Sequence, residues 1–548
     1  MTRSSGRHLP DPAPLLLASG LSSEQVGALL TPYGVEEIKR ADANLQSMAG
    51  EPRARTLLAK VLGELLASIA PTADPDLALT HWERFLQAGV NRIHLFQFLA
   101  EARPMLHLLC TIFGNSPSLA ETLIRDPLLV YWLVEEQVLT RRPSRSDLDR
   151  ALRAMLANVT AVELKLDAIR RFRRREMLRI GVRDLLRLAD VPETTKALSD
   201  LAGILIQGAY EIVQNDLRSQ YGIPMHRNRE GRWVETGFAV VAMGKLGGGE
   251  LNYSSDVDLI YVYASDEGHT RQADRSGSQA AGSISNEEYF EYVSRRLTAA
   301  LTEQTHEGFV YRVDLRLRAE GSVGQLARPL AGYRQYYRTR GQGWERQALL
   351  KAWPVAGDRS VGRAFLRMVR PFMFEMPRGT DNGAASIIKQ VKDIKAMIDA
   401  KIADRGHERR NVKLGVGGIR EIEFFVQALQ MILGRRSPAI LDRNTLGALS
   451  RLKRAGLLSA GEQAALTEAY VFLRDVEHKL QMVHDLQTHA LPDLPDELTR
   501  CAVRLGYSSD DRRAATERFI EDHRRHTDHV HQIFTKLIGG KRLIVGAT

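Results

Sequence analysis

The sequence predicts an α+β chain, predominantly α-helical, with one mixed β-sheet domain flanked by helical domains on both sides. Three observations carry that expectation. From about Leu21 to Arg218, leucine and alanine recur at three- and four-residue spacing, the period of a helix with one apolar face. Between Phe238 and Arg318 the pattern changes to short runs rich in valine, isoleucine and tyrosine, one of them strictly alternating, as strands require. Beyond Asp358 the helical spacing returns. The expected divisions are a disordered leader over residues 1–13, a helical domain over 14–218, a sheet-bearing domain over 219–358 and an all-α domain over 359–548. A length of 548 residues fits roughly three to four domains.

Composition narrows the class. Hydrophobic residues make up 44% and charged residues 26%, the balance of an ordinary soluble globular protein. Two cysteines, Cys110 and Cys501, cannot build a disulfide framework and read as small core residues of a cytoplasmic protein. No apolar run approaches the roughly 18 residues that cross a bilayer, and Leu15-Leu16-Leu17 follows a proline-rich start unlike a signal peptide. No membrane partner is expected. The net charge of +10 and a pI near 9.5 raise the question of nucleic acid. The excess is spread along the chain except at Arg170, Arg171, Arg173, Arg174 and Arg175, beside an apolar stripe that includes Ile169, Phe172 and Leu178. A solvated helix face is the first reading of that cluster, and contact with an acidic protein surface or with nucleotide phosphates the next. Nucleic acid ranks last because no basic motif interleaved with aromatics appears.

The elements follow in order. The proline-rich start is expected to be a disordered leader. The first helical region breaks at Pro71, Pro75, Pro104, Pro127 and Pro192, and its aromatics Trp82, Phe85, Phe96, Phe98, Phe113, Tyr131 and Trp132 read as core. A strand over Phe238 to Met243, a turn at Gly247, Gly248 and Gly249, and a strand over Asp256 to Tyr263 come next. Ala264 to Ser285 reads as a loop, Asn286 to about His306 as a helix, and Glu320, Gly321 and Gly324 as a turn. Tyr333, Tyr336, Tyr337 and Trp344 recur at helical spacing, which favours core over stacking on a base. Gly415, Gly417 and Gly418 precede a helix carrying Arg420, Glu421 and Glu423. His478, His484 and His489 lack the four-residue spacing that converges two imidazoles on one helix face, so no metal site is expected there.

The chemistry concentrates in FAVVAMGKLGGGELNYSSDVDLIYVY, residues 238–263. Residues two apart on a strand share a face, so Asp256 and Asp258 project together while Val257 and Leu259 turn into a core. Two carboxylates so close repel unless a hard divalent cation lies between them. The glycines upstream leave room for phosphates to approach backbone N–H groups. In FVYRVDLRLR, residues 309–318, Asp314 alternates onto the same face as Arg312, Arg316 and Arg318, pairing a candidate metal ligand with phosphate-binding guanidinium groups. A Walker A loop is excluded because Gly244-Lys245 precedes the glycines and Leu246 holds the hydroxyl position.

A Gly-Gly turn, Asp-x-Asp on a strand and a third carboxylate on a later strand resemble the nucleotidyltransferase fold. The wording is more specific still. GKLGGGELNYSSDVDLI, YRVDLRLRAEGSVGQLARPL, GQGWERQALLKAWPVAGD, GVGGIREIEFFVQAL and FLRDVEHKLQMVHDLQTHALP resemble, in order, the enzymes that adenylylate and deadenylylate glutamine synthetase. The resemblance implies adenylyl transfer at an α-phosphorus, with Mg²⁺ held by Asp256, Asp258 and Asp314. It implies non-reacting phosphates held around Gly247, Gly248, Ser254 and Ser255, with Arg312, Arg316 or Lys351 as clamps, Arg420 on phosphate, and Asp314 as a possible proton acceptor. Its partners would be glutamine synthetase, ATP or ADP, inorganic phosphate and, as a further candidate, a PII signalling protein. The family carries two such domains, the first removing AMP by phosphorolysis with release of ADP and the second attaching AMP from ATP. The long helical lead-in and GELNYSSDVDL resemble the first, so adenylyl removal is the favoured direction, ahead of forward adenylylation or a non-catalytic regulatory half. Uridylylation of a PII protein rests on the shared fold alone. Two departures stand out: Ala319 where proline is usual, and Trp353 where a basic residue is common.

Overall fold

A computed structural model describes residues 9–271, 283–374, 383–403, 409–484, 488–508 and 511–539. It is predominantly helical with small mixed sheets, as the sequence predicts. Its contacts group the chain into two units that each draw on separate stretches.

One unit comprises 1–142, 178–190 and 475–524, and the elements among its described residues are helices joined by turns. Pro75 opens helix Pro75–Gln87 behind Asp74, whose carboxylate accepts the Leu77 N–H at 2.9 Å. Trp82, Phe85 and Phe113 form its aromatic centre, with the Trp82 and Phe113 rings edge to face at 5.0 Å. Tyr131 departs from the expected core position and lies 45% exposed. It follows the break at Pro127 in the five-residue helix Leu129–Leu133, too short to bury every face. Cys110 and Cys501 are buried and free, and burial pushes both thiols up to about 12. His489 pairs with buried Glu477 at 2.9 Å, while Asp485 and the side chain of His484 lie outside the described residues. Of the proposed leader, Pro12 is buried and the Pro10 carbonyl accepts the Tyr33 hydroxyl at 2.7 Å.

The other unit comprises 143–177, 191–474 and 525–548. Strands β1 (Ile223–Arg227) and β2 (Trp233–Glu235) pair antiparallel. β3 (Phe238–Ala242) is buried at every position and pairs antiparallel with β4 (Val257–Tyr263), Ala242 opposite Leu259. β5 (His269–Arg271), which lies within the segment expected to be a loop, joins β1 to form a three-stranded sheet with β2; residues 272–282 of that expected loop lie outside the description. β6 is only Val313–Asp314, β7 is Ala327–Pro329 and β8 is Trp353–Gly357. β6 and β7 run parallel to β4, and β8 edges β3 on its other side.

Alternation sorts the sheet's two faces. Ala239, Val241, Ile260 and Val262 pack against Tyr333, Tyr337, Phe365 and Phe372 from helices Leu330–Thr339 and Arg359–Phe374. On the other face Phe238 stacks with Tyr210 and Phe290. Ala319 lies buried in the first of these cores.

The arginine cluster is not a solvated face. Arg170 is buried against Asp167, Arg171 and Arg174 converge on Glu307 at 3.2 and 2.8 Å, and Arg173 lies over the Phe309 and Tyr311 rings. These guanidinium groups bind helix Val162–Leu185 to the segment that leads into β6. The sequence pattern could not reveal that, because Glu307 lies far along the chain.

Candidate active site

After β3 the chain turns through the short helix Gly244–Gly248 rather than an open loop, and the Met243 N–H closes the corner on the Asp258 carbonyl at 2.8 Å. Gly244 has φ +53°, and a Cβ there would fall 2.3 Å from Asp258 Oδ2. Only glycine leaves space for that carboxylate. At Gly247 a Cβ would meet the Lys351 carbonyl at 2.1 Å, and at Gly248 it would meet Glu250 and the Arg443 backbone. On the side where a Cβ would stand, both glycines are therefore packed closely against protein.

Asp258 and Asp314 are direct register partners on parallel strands, so their side chains emerge side by side on one face. Asp256 stands just before β4, and Val257 and Leu259 turn into the core as expected. Burial, then the neighbouring Asp314 charge, pushes the Asp258 carboxyl up to about 6. Asp314 is held below the usual carboxylate range by hydrogen bonds from Arg316, whose guanidinium reaches it at 2.6 Å. Asp256 is engaged by Arg312 Nε at 2.7 Å, and Arg312 also reaches the Ser254 carbonyl. Ser255 is half-buried between Ser254 and Asp256.

Arg318 does not share this face. β6 ends after two residues, so the predicted alternation stops at Asp314, and Arg318 turns inward to donate to the carbonyls of Leu315, Ser322, Gly324 and Gln325. Tyr333, Tyr336 and Tyr337 are core residues, not a base platform.

Beneath the carboxylates lies a second charged group. Lys351 Nζ is buried between Glu250 and Glu423, the latter at 3.0 Å. Glu250 also accepts the Thr445 N–H at 3.0 Å, and buried Arg474 donates to the Glu250 carbonyl at 2.6 Å and to Asn252. Burial opposes charge on Lys351, but Glu250 and Glu423 outweigh it and raise its pKa. Burial likewise opposes charge on Glu423, where Lys351 and Arg420 prevail and hold it at about 2. Arg420 sits 3.6 Å from Glu423 and over the Phe424 ring, and Glu421 is buried against Lys395 at 3.0 Å. Gly418 caps helix Ile419–Leu433, as the glycine turn predicts. Arg443 donates to the Gly247 carbonyl and lies over the Trp353 ring at 4.2 Å, bringing a cation from another segment to the position of the Trp353 departure.

Sequence reasoning missed Gly244, Glu250 and Arg474, although GKLGGGELN carries the first two. It also missed Lys413, whose charge draws the Asp258 carboxyl down against burial. A hard divalent cation fits this donor set, since all three candidates are carboxylates and positive charge would relieve the disfavoured ionisation of Asp258. Among the described residues, no three acidic, histidine or cysteine side chains are gathered as they stand into a metal-holding group; Asp256 and Asp314 are occupied by arginines. No described helix is long and apolar enough to cross a membrane.

Residues 106–368 match the family model of glutamate-ammonia ligase adenylyltransferase, and residues 392–538 that of GlnD PII-uridylyltransferase. Among curated proteins, the bifunctional glutamine synthetase adenylyltransferase/adenylyl-removing enzyme of Nitrosococcus oceani is 38% identical over 430 residues, covering 78% of this chain and 42% of the relative. The enzyme of the same name from Rhizobium meliloti is 37% identical over 445 residues, 80% of this chain and 43% of the relative. That from Stenotrophomonas maltophilia strain K279a is 42% identical over 341 residues, 62% of this chain and 34% of the relative. The chain thus spans less than half the length of the curated relatives it matches.

Proposed function

This chain belongs to the family of bifunctional glutamine synthetase adenylyltransferase/adenylyl-removing enzymes, and we propose on that premise that it removes AMP from an adenylylated tyrosine of glutamine synthetase by phosphorolysis. The observation that carries a nucleotidyltransferase reading is the side-by-side register of Asp258 and Asp314 behind the tight Gly244 corner. The direction rests on the resemblance of the helical lead-in and of GELNYSSDVDL to the adenylyl-removing half. The match of residues 392–538 to a PII-uridylyltransferase model supports a PII protein as a further partner.

In the proposed reaction an oxygen of inorganic phosphate attacks the α-phosphorus of tyrosyl-AMP. The new P–O–P bond makes ADP, the bond from phosphorus to the tyrosine oxygen breaks, and the phenol leaves with the proton the phosphate gives up. Asp256, Asp258 and Asp314 would hold Mg²⁺, which when bound offsets charge on the phosphoryl oxygens. Arg312 and Arg316, at the rim on Asp256 and Asp314, are the cations nearest to hand for phosphate oxygens. Ser255 adds a hydroxyl beside them. Asp314, kept ionised by Arg316, serves as a charge rather than a proton acceptor.

The test is release of nucleotide from glutamine synthetase carrying labelled AMP on its tyrosine, with Mg²⁺, with and without phosphate. Phosphate-dependent labelled ADP supports removal. Incorporation of label from ATP into unmodified glutamine synthetase, with no release, reverses the direction. Silence in both overturns the catalytic reading and leaves a regulatory half.

A further inference from the structure

A cavity of about 890 Å³ opens along the outer edge of β8, away from the carboxylate strands β4 and β6, and of the residues described at the candidate active site only Trp353 lines it. Its floor is the β8 backbone and its walls come from helices Arg145–Leu156, Val191–Tyr221 and Arg359–Phe374. Gly362 allows the last of these to approach closely, since a Cβ there would stand 2.5 Å from the Pro354 side chain.

The charge of this cavity is unbalanced. Arg145, Arg153, Arg359 and Arg363 line it against a single carboxylate, Asp149. Arg153 is neutralised by Asp149 and Glu211, both at 2.9 Å. Arg145 spends one nitrogen on the Val355 carbonyl at 3.2 Å. Arg359 and Arg363 are exposed, one helical turn apart on a helix without a single acidic residue, and make no ion pair among the described residues. Two like charges at that spacing cost helix stability. Ile204, Trp353 and Leu366 supply an apolar wall beside them. The volume is in the range of metabolite sites, and a few polar groups set in apolar walls is their usual construction.

We propose that this cavity is a second ligand site, for an organic phosphate monoester that sets its phosphate on Arg145, Arg359 and Arg363 and its body against Ile204, Trp353 and Leu366. A dianion is the match for three guanidinium groups lacking carboxylate partners, and their planar forks suit phosphate oxygens. The inference does not depend on the direction of the proposed reaction, nor on that reaction occurring.

Calorimetric titration of the full chain with phenyl phosphate, benzoate and phenol tests it. The expected result is one-to-one binding of phenyl phosphate that weakens with added salt, weaker binding of benzoate and none of phenol. Arg359→Ala with Arg363→Ala should weaken phenyl phosphate by roughly tenfold or more, with a melting temperature no lower than that of the unaltered chain, because both side chains are exposed and their mutual repulsion is removed. Asp258→Asn should bind it as the unaltered chain does. Absence of binding into the millimolar range, equal binding of phenol, tighter binding of benzoate, or loss of binding in Asp258→Asn but not in the arginine variant would each overturn the assignment.

Discussion

Two clusters of opposite charges lie within a few residues of each other in this fold, and they are built on different terms. At the rim, Asp256, Asp258 and Asp314 meet Arg312 and Arg316, whose side chains are 41% and 78% exposed. Beneath, Lys351, Glu250 and Glu423 are 9%, 3% and 5% exposed. Exposed arginines on flexible stems hold a carboxylate weakly and give it up cheaply. Buried ions paired with one another cannot exchange partners without leaving an uncompensated charge in a poor dielectric. The rim is therefore suited to trading arginine for cation and phosphate, whereas the lower cluster fixes the segment between Gly248 and Asp256 from which the rim is built. Lys351, proposed from the sequence as a phosphate clamp, sits in the second kind of environment.

The largest effect that would break this division is expected at Lys351. Lys351→Met leaves Glu250 and Glu423 facing each other in a buried site and should cost about 3–5 kcal/mol of stability, read as a fall in denaturant midpoint. The acid limb gives the sign. Glu423 titrates near 2 when folded, below its ordinary value, so it contributes stability above the ordinary glutamate range that is lost as pH falls toward 2. The variant should lose that acid dependence. A variant as stable as the unaltered chain would mean that Lys351 is free for another task.

Asp258→Asn should separate chemistry from folding. Adenylyl transfer should fall by roughly a hundredfold to a thousandfold, about 3–4 kcal/mol of barrier. Stability should move the other way. Asp258 titrates near 6 when folded, above its unfolded value, so the stability it confers is complete below the ordinary aspartate range and is lost as pH rises toward 6. The asparagine variant removes up to about 3 kcal/mol of that penalty and should melt higher than the unaltered chain above pH 6 without divalent cation. Equal melting curves would show that the Asp258 charge is already compensated.

Much of this division was legible in the sequence, and its failures are instructive. Strand alternation placed Asp258 opposite a core, and the Asp314 segment could be paired with it because both bear the acidic pattern of one fold. The glycine turn before Ile419 was equally plain. Local pattern failed where a side chain's partner is distant, as Glu307 is for the arginine cluster and Glu250 and Glu423 are for Lys351, and where a nearby turn captures it, as the carbonyls of Ser322, Gly324 and Gln325 do for Arg318. Alternation over residues 309–318 described a strand of ten residues, yet pairing stops after Asp314, and Arg318 found its hydrogen bonds inward. The edge strand at His269–Arg271 escaped because three residues carry no period.

Gly244→Ala is the next smaller test, and it acts on the rim through backbone geometry. Alanine must adopt φ near +53° and put its Cβ on the Asp258 carboxylate. The strained backbone alone should cost about 1–2 kcal/mol, and displacement of the carboxylate should reduce activity by more than that stability loss explains. Alanine at Gly308, whose φ is +91° with nothing within 4 Å, is the control for backbone strain without a neighbour.

The smallest expected effect belongs to Arg316, and it sharpens the comparison most. Its side chain lies largely in water, so Arg316→Ala should lower the melting temperature only slightly, and only above the usual aspartate range, where ionised Asp314 loses its partner. Yet its hydrogen bonds are the first cause of the low Asp314 carboxyl, so that carboxyl should rise toward the usual range, as side-chain carboxyl NMR titration would read. Below the usual aspartate range the two chains should differ in charge at Asp314, and above it they should not. If Asp314 stays low without Arg316, some other cation holds it and the rim is less exchangeable than its exposure implies. If it rises with only that small loss of stability, the arginine is a placeholder on a carboxylate that the fold presents for something else.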